Sequence, residues 1–208
     1  MTLRGANAVQ KISIRSPHLK APRMPRIPST MVQLGTSCPD FNLPDPSGRM
    51  HGLSDAGEAP AVLVMFICNH CPFVKHIAER MGVLLGEFGE QGLMTFAINS
   101  NDFEAHPEDA PALMAEEAVA RGYGFPYLID EDQSVAKAFE AACTPDFFLY
   151  DKDRNLVYRG QFDETRPGEG EAHGADLECA IEAVLEGRPV PAEQHPSLGC
   201  NVKWRVPS

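Results

Sequence analysis

A chain of 208 residues is long enough to bury one substantial core. Its 43% hydrophobic and 23% charged residues exclude fibrous and disordered classes, and the longest apolar run, Ala61 to Ile67, falls far short of the roughly 20 residues of a membrane-spanning helix. Residues 1–30 hold six Lys or Arg and no Asp or Glu, so the rest carries 12 basic against 29 acidic residues, a body of −17 that repels phosphate backbones and argues against nucleic-acid partners.

Residues 1–33 show no sustained period of 2 or 3.6 and read as a flexible basic tail, with Met31 a natural start for the folded part. Such an acid-free stretch also fits an organelle transit peptide; without an apolar secretory core, the expected location is otherwise cytoplasmic. From Gly35 to Leu53, two short extended segments flank the turn Asp45-Pro-Ser-Gly48, an N-terminal hairpin. The uninterrupted run Ala61 to Ile67 predicts a central strand buried on both faces.

From Pro72, apolar residues recur at three- and four-residue steps (Val74, Ile77, Met81, Leu84, Leu85, Phe88) and predict a helix to Gly89. Leu93 to Ile98 is the next buried strand, closed by Asn99-Ser-Asn-Asp102. Pro111 to Arg121 predicts a second helix, Phe125 to Ile129 a short strand, and Ser134 to Ala142 a third helix opened by a serine cap. Phe147 to Tyr150 and Leu156 to Tyr158 flank a turn and form an antiparallel hairpin, Asp163 to Gly174 reads as a solvated loop, and Asp176 to Glu186 is a last helix. This order specifies an α/β fold in three layers: residues 34–190 form a mixed sheet with helices on both faces, and residues 191–208 form an extension packed on it.

Six cysteines in a chain this long are too few for a disulfide-stapled scaffold, and only Cys68 and Cys71 are close in sequence. Cys68-Asn-His-Cys71 follows the central strand and opens the first helix. Unpaired N–H groups and the positive end of the helix dipole favour a thiolate there. His70 adds a hydrogen bond or a positive charge, and is expected to make the couple more oxidising by stabilising its reduced form. The spacing also permits a zinc site completed by His70, His76 or Cys200, although no second paired knuckle is present. Cys38, Cys143 and Cys179 have apolar neighbours and are expected in the core, while Lys75 and His76 are expected to be solvated.

Between Leu34 and Glu186 the sequence resembles the thioredoxin-like proteins, in particular their redoxin branch of alkyl hydroperoxide reductase-type and cytochrome-maturation-type members. The resemblance is carried by Gly35, Cys38-Pro-Asp-Phe-Asn-Leu43, Cys68-Asn-His-Cys71-Pro72, Phe125-Pro-Tyr-Leu-Ile-Asp130, Thr144-Pro145 and Phe147-Phe-Leu-Tyr-Asp151. It implies a thiol–disulfide oxidoreductase acting on protein or small-molecule thiols without a cofactor or metal. In it, Cys68 attacks, Cys71 resolves, His70 tunes, and Thr144 with a cis Pro145 forms the docking edge. Two departures stand out: Ile67 replaces the usual Trp, and the proline usually placed between the cysteines is Pro72.

A second implied activity is a thiol peroxidase, because Cys71-Pro72 also matches the peroxidatic Cys-Pro of peroxiredoxins. Their thiolate-stabilising Arg is absent, since Thr144-Pro145-Asp146 stands at the corresponding place. A Gly-Cys before a C-terminal Lys-Trp is shared with some relatives and makes Cys200 either a third redox thiol or a buried anchor.

Overall fold

The computed structural model describes residues 26–206. Its centre is a five-stranded sheet in the order β6-β5-β4-β8-β9. β4 (Ala61–Phe66), β5 (Leu93–Asn99) and β6 (Tyr127–Ile129) run parallel, while β8 (Asp146–Asp151) pairs antiparallel with β4 and β9 (Leu156–Gly160) antiparallel with β8.

β4 is buried at every residue because both of its faces are covered, which is why it reads as an unbroken apolar run. Strand alternation sends Leu63 and Met65 to one side and Val62, Val64 and Phe66 to the other. The first side packs against α1 (Pro72–Gly89), α2 (Pro111–Ala120) and α4 (Ala175–Leu185) through Ile77, Met81, Met114, Leu177 and Ile181. The second packs against α3 (Ser134–Ala138) and the hairpin of β2 (Asn42–Pro44) with β3 (Met50–Gly52), where Phe41, Phe66, Phe96, Phe139 and Phe148 meet mostly edge to face.

The ends of the chain depart from expectation. β1 (Ile27–Pro28) pairs with β10 (Leu198–Asn201), and β10 pairs in turn with β7 (Cys143–Thr144). Ser29 is buried and exchanges bonds with Ser197, donating its N–H to the Ser197 carbonyl (3.0 Å) and accepting the Ser197 N–H on its hydroxyl (3.1 Å). The tail boundary expected at residue 33 therefore lies too far along the chain; residues 1–25 of that stretch lie outside the described residues. Lys203 and Arg205 are tied down by Gln133, whose side chain donates to the Lys203 carbonyl (2.9 Å) and accepts the Arg205 N–H (2.9 Å).

Three smaller expectations are corrected. α3 stops at Ala138 because Glu140 takes a left-handed conformation (φ 53°) that turns the chain into β7. Its first turn is capped not by Ser134 but by Asp130, whose carboxylate accepts the N–H groups of Val135 and Ala136. The loop after β9 is organised around the buried Asp163, which accepts the N–H groups of Thr165, His173 and Gly174.

Candidate active site

The site lies at the carboxyl end of β4, where the chain turns into α1. Cys71 is the N-cap of that helix and Pro72 its first residue, a position where the missing proline N–H costs nothing. Cys71 occupies the N-cap position without a side-chain cap bond, so its sulfur is left to its neighbours in the site. Cys68 and Cys71 are both buried free thiols.

Facing them is the Thr144–Pro145 peptide bond, which is cis. Thr144 serves both sulfurs: its Oγ1 lies 3.4 Å from Cys68 Sγ, and its carbonyl oxygen lies 3.1 Å from Cys71 Sγ. Register adds a third thiol. Cys200 lies opposite Thr144 across the β10–β7 pair, and its Sγ is 3.1 Å from that of Cys71. Gly199 makes this approach possible, because a Cβ there would overlap the Thr144 carbonyl oxygen.

The sulfurs differ in acidity. The Cys200 and Cys68 thiols, then the Val74 and Cys200 N–H groups, hold Cys71 well below the ordinary thiol range against the opposing effect of burial. The Thr144 carbonyl accepts the neutral Cys71 thiol and also opposes ionisation, but it is outnumbered by these donors. Cys68 is pushed up by its bond to Cys71, by burial and by the Asp109 charge, and Cys200 is pushed up by its bond to Cys71 and by burial. Charge is thus favoured on Cys71 rather than on Cys68, the attacking thiol implied by the resemblance.

His70 flanks this cluster on the Cys68 side, with a ring nitrogen within 4.8 Å of the Cys68 sulfur. Its Nδ1 is 2.7 Å from a carboxylate oxygen of Asp109, and its ring stacks on His106. Asp109 is fully buried and also accepts the Asn69 N–H (2.9 Å) and the Asn101 side-chain amide (2.8 Å). The bond to Asp109 raises the His70 pKa despite burial; burial pushes Asp109 up, yet its bonds from His70 and Asn101 leave it below its ordinary value. Asn101 also accepts the Lys203 N–H (2.8 Å), so one polar chain joins the Cys68–Cys71 loop to the C-terminal segment.

Sequence reasoning missed Asp109, Asn101 and Tyr127, whose hydroxyl donates to the Asn69 side chain (3.1 Å). The available signal was position: Asn101 and Asp109 follow β5, the parallel neighbour of β4, and such strand ends converge. Asp146, directly after cis-Pro145, is buried with one carboxylate oxygen unpartnered, and burial pushes its pKa up to about 8.

The other expected residues are distributed as follows. Cys143 is buried and Cys38 half-buried, whereas Cys179 is exposed because it lies on the outer side of α4, and the core expectation for it is corrected. His76 is hydrogen-bonded to the Thr165 hydroxyl (2.8 Å) instead of joining the cysteines. Ligand atoms of Cys68, His70 and Asp109 lie within 4.8 Å of one another, but Cys71 and Cys200 face each other instead of completing a tetrahedral set. Among the described residues no helix is long and apolar enough to cross a membrane.

Residues 34–159 match the AhpC/TSA family. The chain belongs to that family. A curated relative, the thiol-disulfide oxidoreductase ResA of Geobacillus kaustophilus (strain HTA426), is 30% identical over 125 residues, 60% of this chain and 67% of that protein. The crystal structure of a hypothetical protein from Sinorhizobium meliloti 1021 is 52% identical, with a TM-score of 0.85, and the match covers 86% of this chain and 99% of that one. The thioredoxin domain of a thiol-disulfide oxidoreductase from Bacteroides vulgatus, 15% identical with a TM-score of 0.54 over 71% of this chain and 96% of that one, shares the fold. The chain is therefore an α/β protein of thioredoxin-like fold in a redoxin family of oxidoreductases.

Proposed function

We propose that the protein is a thiol–disulfide oxidoreductase that exchanges disulfides with protein or small-molecule thiols through the Cys68–Cys71 couple, without a bound cofactor. The observation that carries this reading is the convergence of both sulfurs on Thr144, immediately before cis-Pro145, at the start of an 18-residue helix. The Cys71 thiolate attacks a substrate disulfide and forms a mixed disulfide, releasing one substrate thiolate; Cys68 then attacks Cys71, closes the Cys68–Cys71 bond and releases the second. This order reverses the one carried over from the resemblance; what supports it is the Cys200 sulfur 3.1 Å from that of Cys71, which together with Cys68 holds the Cys71 pKa down. Pro145 and Thr144 form the edge against which the substrate chain lies.

Mass spectrometry after incubation with oxidised glutathione tests the reading: a reversible Cys68–Cys71 disulfide is expected, and recovery of both as free thiols while Cys179 is modified refutes it. The same thiolate and Cys71-Pro72 support a peroxidase as the second reading. Against it, no arginine bonds to Cys71 among the described residues. Rapid sulfenic acid formation on Cys71 with hydrogen peroxide, faster than its reaction with disulfides, would establish the peroxidase instead.

A further inference from the structure

Cys200 lies outside the Cys-x-x-Cys pair, 129 residues beyond Cys71 in sequence, yet it is the thiol whose sulfur lies 3.1 Å from the Cys71 sulfur. Its placement is built, not incidental. β10 is held on one side by β1 and on the other by β7, with Cys200 in register with Thr144, and Gly199 lets the two backbones close on each other. Closing 3.1 Å to the S–S bond length of about 2.05 Å needs a movement of about 1 Å. Cys71 and Cys68 both converge on Thr144, and Cys200 approaches from the Cys71 side, so Cys71 is the middle sulfur of the three.

We propose that Cys200 is a second resolving thiol, which forms a Cys71–Cys200 disulfide and makes the site a three-sulfur relay. The inference rests on the exchange reading above and adds a step to it. Cys200, as thiolate, attacks Cys71 in the Cys68–Cys71 disulfide; the Cys71–Cys200 bond forms, the Cys68–Cys71 bond breaks, and Cys68 leaves as thiolate. The Cys200 proton passes to Cys68, where Thr144 Oγ1 at 3.4 Å is placed to hydrogen-bond the leaving sulfur. One disulfide replaces another, so no external oxidant or reductant enters. The same attack on a Cys71 mixed disulfide releases the substrate thiol directly. Cys68 is thereby freed while the oxidising equivalent moves to the C-terminal strand.

The test uses the full chain and its Cys68→Ser, Cys200→Ser and Cys68→Ser/Cys200→Ser variants, each treated with oxidised glutathione, acid-quenched, alkylated and digested with trypsin plus a glutamate-specific protease that separates Cys179 from Cys200. Cys68→Ser should yield the Cys71–Cys200 cross-link, while the double variant should accumulate the glutathione mixed disulfide on Cys71 at least tenfold longer. If Cys68→Ser holds that mixed disulfide as long as the double variant does, the relay is overturned while the exchange reading stands. If the parent forms no Cys68–Cys71 disulfide either, both fall. The parent needs no substitution: a Cys71–Cys200 peptide in its equilibrated digest supports the relay, so misfolding of a variant does not decide the matter.

Discussion

Replacing His70 with Ala should make the active-site couple more reducing, and the structure gives the size of the change. His70 is held 2.7 Å from Asp109, and the Cys68 sulfur lies within 4.8 Å of both groups. With the His70 pKa raised and that of Asp109 lowered, the two form an ion pair whose charges offset each other near the sulfurs. His70→Ala removes the cation and leaves the buried carboxylate uncompensated beside Cys68, where it opposes the negative charge that the thiol cluster shares, so the figure for a full charge on Cys68 is the upper limit of the effect. A unit charge at about 5 Å is worth about 1 to 3.5 kcal/mol for effective dielectrics of about 80 to 20. At about 30 mV per 1.4 kcal/mol for a two-electron couple, the reduced form is destabilised by about 20 to 75 mV. Asp109→Asn should shift the potential little, because His70 then loses its reason to be charged and a neutral pair replaces a compensated one. The double variant should therefore return to near the parent value. The measurement is equilibration in thiol–disulfide redox buffers at neutral pH. A His70→Ala potential equal to that of the parent, or a double variant as low as the single one, would refute the argument.

Three further outcomes are expected. Gly199→Ala should cost about 1 to 3 kcal/mol, since its Cβ overlaps the Thr144 carbonyl, and should abolish the Cys71–Cys200 cross-link; an unchanged thermal midpoint would contradict the close approach. Deleting residues 1–33 removes β1, the Ser29–Ser197 bonds and the Val32 carbonyl that accepts from Arg159 (2.7 Å), so the midpoint should fall by several degrees; an unchanged midpoint would show that β1 adds nothing. Asp146→Asn should stabilise the protein by a few kcal/mol at pH 8. The folded-state pKa of about 8 lies above the unfolded value near 3.9, so the folded form binds the extra proton and the parent loses stability as pH rises between the two. The gain should vanish near pH 4, and denaturant unfolding of both proteins across that range measures it.

What the sequence made legible follows from how local its causes are. α1 runs from Pro72 to Gly89 as the three- and four-residue spacing requires, and β4 ends one residue before the expected Ile67. Thr144–Pro145 is cis, as the resemblance implied, and Cys200 is buried beside the dithiol. What escaped depends on contacts between distant segments. β1 is two residues without periodicity, ordered by a partner about 170 residues away, so no local pattern marks it. Asp109 sits in a polar turn, and its role comes from His70, 39 residues earlier. Cys179 looked like a core residue because its neighbours are apolar, but helical geometry sends Ala180 and Ile181 inward and leaves the sulfur outside.

Three thiols in one buried cluster cannot all ionise, since each added charge lies next to the last in a medium poor in water. The cluster therefore holds its first negative charge on the sulfur its neighbours favour most, which is Cys71, held low chiefly by the Cys200 and Cys68 thiols. Cys68 and Cys200 remain protonated because their protons already serve that charge. The first ionisation then belongs to the cluster and not to one residue, and a thiolate absorbance titration reports a shared step. Removing either neighbouring thiol should raise that step, and removing both should raise it further. Chemistry follows the same geometry: whichever neighbour attacks Cys71 after it has reacted does so as a thiolate, having given up the proton that it no longer shares with a Cys71 thiolate. The β10 strand is thus part of the site, and the acidity of Cys71 is written as much at Cys200 as at the helix start.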